Sequence, residues 1–149
     1  MTVSLPDVNV LVALFDPGHV HHEAAHQWFG SNRGDGWATC AITLNGAARV
    51  LCNRAYPRSV PTVEAAVSLL KTLCAAPEHE FWADDISLLD STRFRPALME
   101  GHQKITDAYL LGLAVRRGGR FVTFDRSIPL KTVIGAEAHH LRVLGLEHQ

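Results

Sequence analysis

The stretch from Lys104 to Asp125 reads KITDAYLLGLAVRRGGRFVTFD. Apolar residues between positions 110 and 115 recur at helical spacing, and Gly118-Gly119 is typical of a left-handed helix end. The apolar run from 121 to 124 then predicts a short buried strand. A helix that leads directly into a buried strand indicates an α/β protein with a mainly parallel central sheet.

This stretch contains two acids at positions where ligands are often bound. Thr106 is the predicted N-cap of the helix, and Asp107 then lies in the first turn, where the helix dipole favours negative charge. Asp125 directly follows the strand. In open parallel sheets, ligands bind beyond the carboxyl ends of the strands. We therefore expect both acids at a functional site.

A third acid occupies a similar position near the start of the chain. Asp7 interrupts the apolar sequence from Leu5 to Leu14, and a strand that ends near Asp7 would place it beside Asp125. Three carboxylates in one crevice repel one another unless a cation neutralises them. The sequence thus predicts a cation site formed by Asp7, Asp107 and Asp125.

The rest of the chain alternates predicted strands with predicted helices. Strands are expected near residues 3–6, 37–41, 79–83, 120–124 and 140–144. Helices are expected at 20–29, from an N-cap at Thr43 to about residue 55, and from Thr62 to about residue 75. A long irregular connection is expected at 93–103. This alternation favours a parallel sheet between two layers of helices.

Composition and charge fit one globular domain spanning residues 1–149. The net charge of -1 does not by itself indicate a nucleic-acid-binding protein. No apolar run reaches about 18 residues, the usual length of a membrane span, so we expect a cytoplasmic protein. The three cysteines, Cys40, Cys52 and Cys74, lack metal-ligand spacing and are expected to be buried free thiols.

Two further groups of polar residues each allow a binding role and a structural one. His22 and His26 are four residues apart and could bind zinc from one helix face, or could simply form the polar side of an amphipathic helix. Asp84-Asp85 could bind a metal, but adjacent side chains in an extended chain point to opposite faces. Turn or helix-capping chemistry is therefore favoured for this pair.

Several segments together resemble a known family. Three blocks resemble the characteristic segments of PIN-domain ribonucleases, specifically the VapC toxins of bacterial toxin–antitoxin pairs: PDVNVLVALF, ITDAYLLGLAV and GRFVTFDRSI. TLNGAARVLCNRAYP and HEFWADDISLLD resemble VapC segments in the same order. The resemblance implies a three-layer α/β/α sandwich and an endoribonuclease that depends on Mg²⁺ or Mn²⁺. It also implies a homodimer and a VapB-like antitoxin.

The resemblance assigns the metal-binding acids to Asp7, Asp107 and Asp125. Asn9, Thr106 and Thr123 are expected to hold those carboxylates or a metal-bound water, with Ser127 a weaker candidate. Arg49, Arg54, Lys104 and Arg126 are candidate contacts to RNA phosphates, although Arg49 and Arg54 could equally be ordinary solvated charges.

One position departs from the family pattern. The family usually has a further acid within the block that reads ITLNG here, and Leu44 stands at that place. If this side chain faced the crevice as in the family, Leu44→Glu would restore the acid and tighten Mn²⁺ binding. The missing acid also supports an alternative function, a catalytically weak or silent PIN-like binding module.

A receiver-like signalling domain is another alternative, since such domains also hold Mg²⁺ in an acidic crevice. That class needs adjacent acids after its first strand and a lysine after a later one. Asp7 stands alone here and Arg126 follows Asp125, so the nuclease is the favoured function.

Overall fold

The computed structural model describes residues 1–145. Its five strands form one entirely parallel sheet in the order β3-β2-β1-β4-β5. They are β1 (Ser4–Pro6), β2 (Trp37–Thr39), β3 (His79–Phe81), β4 (Arg120–Thr123) and β5 (Leu141–Val143). All five lie where the sequence predicted strands, although the ladders are three or four residues long. The predicted parallel sheet is confirmed.

Five α-helices cover the two faces of this sheet. They are α1 (Val8–Phe15), α2 (His22–Asn32), α3 (Ala41–Leu51), α4 (Val63–Cys74) and α5 (Ile105–Arg116). Short 3-10 turns lie at Arg33–Asp35, Pro96–Leu98, His102–Lys104, Leu130–Thr132 and Ala138–His140. The connection from 93 to 103 contains two of these turns and no strand, as the sequence predicted.

Side chains that alternate along the strands build a separate core on each face. Phe121 points to the face covered by α5, where it packs with Leu5 and with buried residues of that helix. Val122 points to the opposite face and packs with Trp37 and with α1 and α2. The result is the predicted three-layer α/β/α sandwich, and the strands' carboxyl ends share one edge.

Two predicted helix caps are wrong. Helix α3 begins at Ala41 with Cys40 as its N-cap, and Thr43 instead accepts the Cys40 N–H at 3.0 Å from within the first turn. Helix α5 continues directly from the 3-10 turn at His102–Lys104, so it begins at Ile105 without a side-chain cap and Thr106 lies inside it. A preceding turn of helix makes a side-chain cap unnecessary there.

The helix predicted from Thr62 is confirmed as α4, and the Thr62 hydroxyl caps it by accepting the Ala65 N–H at 3.0 Å. Cys40, Cys52 and Cys74 are free thiols, as expected, but only Cys40 is buried and the other two are partly exposed. Within residues 1–145, no helix is both long and apolar enough to cross a membrane.

Candidate active site

Asp7 lies where β1 ends and α1 begins. Its Oδ1 accepts the Val8 N–H at 2.7 Å, which caps the helix, and its Oδ2 accepts the Thr123 hydroxyl hydrogen at 2.9 Å. Burial raises the pKa of this carboxyl above its usual value, and the two hydrogen bonds oppose that rise. The chain therefore holds a partly buried acid in one orientation.

Asp125 follows β4, the strand adjacent to β1. Its Oδ1 accepts the Ser127 hydroxyl at 2.6 Å and the Ser127 N–H at 2.8 Å, and these bonds lower its pKa. Thr123 Oγ1 accepts the Asp125 N–H at 3.1 Å. One threonine thus positions both Asp7 and Asp125.

Asp107 enters the same crevice from the first turn of α5. Burial raises its pKa to about 7, and the charges of Asp7 and Asp125 add to the rise. Interaction with both acids shows that the three carboxylates are electrostatically coupled. The structure therefore brings Asp7, Asp107 and Asp125 together at the carboxyl edge of the sheet.

The chemistry of these donors fits a hard divalent cation. All three are carboxylates, and Mg²⁺ prefers oxygen ligands while retaining several of its own waters. Within residues 1–145, no group of three or more His, Cys, Asp or Glu side chains is arranged to hold a metal ion directly. A cation in this crevice would therefore bind through fewer carboxylates and complete its shell with water or phosphate.

The four predicted supporting residues divide into two pairs. Thr123 and Ser127 hydrogen bond to the acids, as described above. Asn9 and Thr106 are exposed, and no hydrogen bond joins either side chain to an acid within residues 1–145. The structure thus gives Asn9 and Thr106 no contact that would orient a carboxylate.

The candidate RNA contacts lie at different places around this edge. Lys104 Nζ donates to Ser127 Oγ at 2.6 Å, which places a cation one side chain away from Asp125. Arg126 is exposed beside Asp125 in the chain, and Arg54 is exposed beyond the end of α3. Arg49 lines a groove of about 270 Å³ together with Val8, the residue after Asp7.

The expectation that Leu44 faces the crevice is wrong. Leu44 packs into an apolar groove between α3 and α4, lined also by Val67, Leu70 and Cys74. The α3 residue that approaches α1 is Gly46, where an added Cβ would lie 2.5 Å from Val8 Cγ2. Helix α3 therefore packs too closely against α1 at this point to present a side chain there.

The two histidines proposed as zinc ligands have structural partners. His22 Nδ1 lies 2.7 Å from the carbonyl oxygen of Ala13, and His26 Nε2 lies 2.9 Å from that of Leu14. Both rings thus satisfy carbonyl groups at the end of α1. The zinc hypothesis is not supported, and the histidines join α2 to α1.

The capping role favoured for the Asp84-Asp85 pair is confirmed for Asp84. Its Oδ2 accepts the Ala41 N–H at 3.1 Å, and its Oδ1 accepts the Tyr109 hydroxyl at 2.9 Å. Asp85 pairs with Arg117 at 3.3 Å. Asp84 therefore ties the start of α3 to α5.

Sequence reasoning missed three polar contacts that depend on the fold. The bond from Lys104 to Ser127 joins residues that are separate in sequence, and no local pattern indicates it. Asp16 is 4% exposed and accepts hydrogen bonds from Tyr56 and Arg58, which lowers its pKa to about 2. The sequence indicated only a turn at Asp16, although a buried acid requires such partners.

Comparison with known proteins identifies the family of this chain and agrees with its fold. The PIN domain family model matches residues 4–132. Ribonuclease VapC44 of Mycobacterium tuberculosis is 46% identical over 141 residues, which cover 95% of this chain and 99% of the relative. Ribonuclease VapC38 of the same organism is 43% identical, covering 85% and 87% of the two chains. Ribonuclease VapC39 is 40% identical, covering 84% and 90%.

A solved structure of another VapC protein has a similar fold. The crystal structure of Mycobacterium tuberculosis VapC20, described as a sarcin-ricin loop cleaving toxin, matches with a TM-score of 0.57 at 15% identity. The match covers 78% of this chain and 85% of that one. The chain therefore belongs to the PIN-domain family, and within that family to the VapC-type ribonucleases.

Proposed function

We propose that this protein is an endoribonuclease that requires Mg²⁺ or Mn²⁺ and acts as the toxin of a toxin–antitoxin pair. The observation that carries the proposal is the convergence of Asp7, Asp107 and Asp125, together with the pKa of about 7 at Asp107. Like charges held this close are unfavourable in the absence of a cation. The presence of all three carboxylates in one crevice therefore favours a site where a divalent cation neutralises their charge.

The residues of the chain would position that ion and the RNA. Asp7, fixed by Thr123, and Asp125, fixed by Ser127, present oriented carboxylate oxygens, and Asp107 completes the set. A bound divalent cation would supply charge stabilisation at the phosphate and a water of lowered pKa. Lys104 donates to Ser127, the residue that holds Asp125, and its charge there would attract the RNA backbone.

The direct test measures cleavage of a mixed cellular RNA pool in Mn²⁺, with a chelator as the blank. We expect the wild-type protein to cleave RNA. Asp7→Asn should reduce the cleavage rate at least about 100-fold, since oriented carboxylates are essential for holding the ion. Asp85→Asn is the matched control, because Asp85 is an acid paired with Arg117 outside the crevice. Equal activity in wild type and Asp7→Asn would contradict the proposal.

A silent RNA-binding module is the second candidate. The observation in its favour is that α3 presents Gly46 where it approaches α1, and so contributes no further acid. The same assay separates the two functions when RNA retention on a filter is measured in parallel. Retention without cleavage at any Mn²⁺ concentration would favour the binding module.

We also propose that the protein forms a homodimer and pairs with a VapB-like antitoxin. Val63 and Val67 on α4 are 63% and 37% exposed, which supports an apolar contact surface on this helix. A basic antitoxin side chain would complement the acidic crevice. Sedimentation of a stable monomer at high protein concentration would contradict the dimer.

A further inference from the structure

Lys104 is a half-buried lysine at the border of the acidic crevice. It ends the 3-10 turn His102–Lys104 and directly precedes the first residue of α5, the helix that carries Asp107. Gly101 precedes this turn with a φ of 115°, a left-handed conformation that favours glycine. The Gly101 carbonyl oxygen accepts the Lys104 N–H at 3.1 Å. The backbone therefore fixes the point from which the Lys104 side chain extends.

A chain of hydrogen bonds leads from the Lys104 ammonium to Asp125. Lys104 Nζ donates to Ser127 Oγ at 2.6 Å and to the Ser127 carbonyl oxygen at 3.4 Å. The Ser127 hydroxyl in turn donates to Asp125 Oδ1 at 2.6 Å. One hydroxyl group thus joins the ammonium to the carboxylate and holds the positive charge near the crevice.

The ammonium acts on the acids without covering their oxygens. Within residues 1–145, no carboxylate oxygen lies within 4.0 Å of Lys104 Nζ, so the lysine forms no direct ion pair. The bonds from Ser127 lower the pKa of Asp125 most, and the Lys104 charge lowers it further. Burial raises the pKa of Asp107 most, and the Lys104 charge opposes that rise. Lys104 therefore stabilises the charged forms of both acids.

The same positive charge must also act on a metal ion in the crevice. A charge that favours an ionised carboxylate repels a cation bound to that carboxylate, because both effects come from one electrostatic potential. When Asp7, Asp107 and Asp125 are all ionised, one ammonium leaves two negative charges uncompensated, and a single divalent cation balances them. Lys104 thus relieves repulsion among the acids and weakens their attraction for the ion.

We propose that Lys104 sets the divalent-cation affinity of the acidic crevice through its charge, without acting as a ligand. In the metal-free protein, its ammonium partly compensates Asp107 and Asp125. The same charge keeps the binding of a divalent cation weak, so that the ion exchanges readily with solvent. The inference rests on the proposed cation site, but the compensation exists without metal and can be measured in a chelator.

Calorimetric Mn²⁺ titration at low ionic strength measures the effect on affinity. Lys104→Met retains an unbranched side chain and removes the charge, so it should bind Mn²⁺ about three- to tenfold more tightly than wild type. Lys104→Arg retains the charge and should bind within about twofold of wild type. Added salt should reduce the difference between Lys104→Met and wild type, because mobile ions screen the repulsion.

Lys71→Met is the matched control for the loss of a lysine charge. Lys71 is exposed on α4 and lines the groove that contains Leu44, between α3 and α4. Its charge is not among the causes that shift the pKa of Asp107 or Asp125. Lys71→Met should therefore bind Mn²⁺ with the affinity of wild type.

A double-mutant cycle between Lys104→Met and Asp107→Asn tests the compensation in the absence of metal. Within residues 1–145, no hydrogen bond joins the Asp107 side chain to Lys104 or Ser127, so the cycle reports mainly on charge. In chelator at pH 8, Lys104→Met should lower the urea concentration of half-unfolding in wild type. The same substitution should lower it less in the Asp107→Asn background, where one acid is already neutral.

The outcomes separate this inference from the proposed function. Unchanged or weaker Mn²⁺ binding by Lys104→Met would overturn the inference while wild type still binds the ion. Equal tightening by Lys104→Arg would also overturn it, because the effect would then come from side-chain shape. So would equal losses of stability in the two backgrounds of the cycle. Absence of Mn²⁺ binding in every variant would contradict the cation site itself and the inference with it.

Discussion

Thr123 donates its hydroxyl hydrogen to Asp7 Oδ2 at 2.9 Å, and the same hydroxyl oxygen accepts the Asp125 N–H at 3.1 Å. Thr123 is 1% exposed and ends β4, so its position is fixed by the sheet. A single buried side chain thus sets the relative placement of two acids that lie far apart in sequence.

We expect Thr123→Val to lower RNA cleavage and Mn²⁺ affinity about tenfold, because groups that orient ligands typically contribute about 10–100-fold. Thr132→Val is the matched control, since Thr132 is also 1% exposed and its hydroxyl donates to the Pro129 carbonyl oxygen rather than to an acid. Both variants should lose similar stability, of order 1 kcal/mol. A similar loss of activity in the two variants would indicate a general effect on folding.

Asp107→Asn should abolish cleavage and stabilise the metal-free protein. The pKa of Asp107 is about 7 in the folded chain, against about 3.9 in an unfolded one. Between these two pKa values the folded state binds more protons than the unfolded state. The free energy of unfolding of the wild type therefore falls as the pH rises from about 4 to 7.

The stability advantage of Asp107→Asn over wild type should therefore be near zero at pH 4 and largest above pH 7. Because this side chain is only half-buried, we expect a gain of order 1 kcal/mol after solvent screening. Urea unfolding of both forms in chelator at pH 5 and pH 8 measures the difference. Unfolding of Asp107→Asn at a lower urea concentration than wild type at pH 8 would make Asp107 a structural residue.

Leu44→Glu should lower the free energy of unfolding without tightening Mn²⁺ binding. The new charge would replace an apolar side chain that packs beside Val67 and Leu70, and Lys71 at the edge of the same groove would offset only part of that loss. We expect a cost of about 1 kcal/mol, the centre of the range for single substitutions. Asn45→Glu places the same charge on an exposed position of α3 and serves as the control. Tighter Mn²⁺ binding by folded Leu44→Glu would place residue 44 at the metal after all.

Gly46→Ala should also destabilise the protein, because its Cβ would lie 2.5 Å from Val8 Cγ2. Overpacking of this kind costs about 1–3 kcal/mol. Adding Val8→Ala removes the clashing methyl groups, so the double variant should be more stable than the sum of the two single effects predicts. If the two single changes in unfolding free energy simply added in the double variant, the methyl group added at position 46 and the Val8 side chain would not clash, and α3 and α1 would move apart there without cost.

The features predicted correctly from sequence are those with strong local signals. The apolar run at 121–124 predicted β4, and the interrupting charge at Asp7 located the end of β1, because both follow from burial alone. The caps at Thr43 and Thr106 were predicted wrongly because neighbouring residues began each helix earlier. Propensity identifies a capable residue, but the preceding backbone decides which one is used.

The orientation of Leu44 required tertiary information. Residues 44 and 46 differ by about 200° around a helix, and only the packing of α3 against α1 and α4 decides which face meets the crevice. The convergence of the acids could be predicted, because parallel strands place their carboxyl ends at one edge. The contacts of Thr123 and Lys104 that orient Asp7 and Ser127 depend on side-chain geometry across the fold.

The central claim is that Asp7, Asp107 and Asp125 form one binding site for a divalent cation. Calorimetric titration of metal-free protein with Mn²⁺ tests it most directly, using wild type, Asp7→Asn, Asp125→Asn and the control Asp85→Asn. The account predicts one weak site in wild type and in Asp85→Asn, and no measurable binding when Asp7 or Asp125 is neutralised. Mn²⁺ binding of equal strength in all four proteins would contradict it.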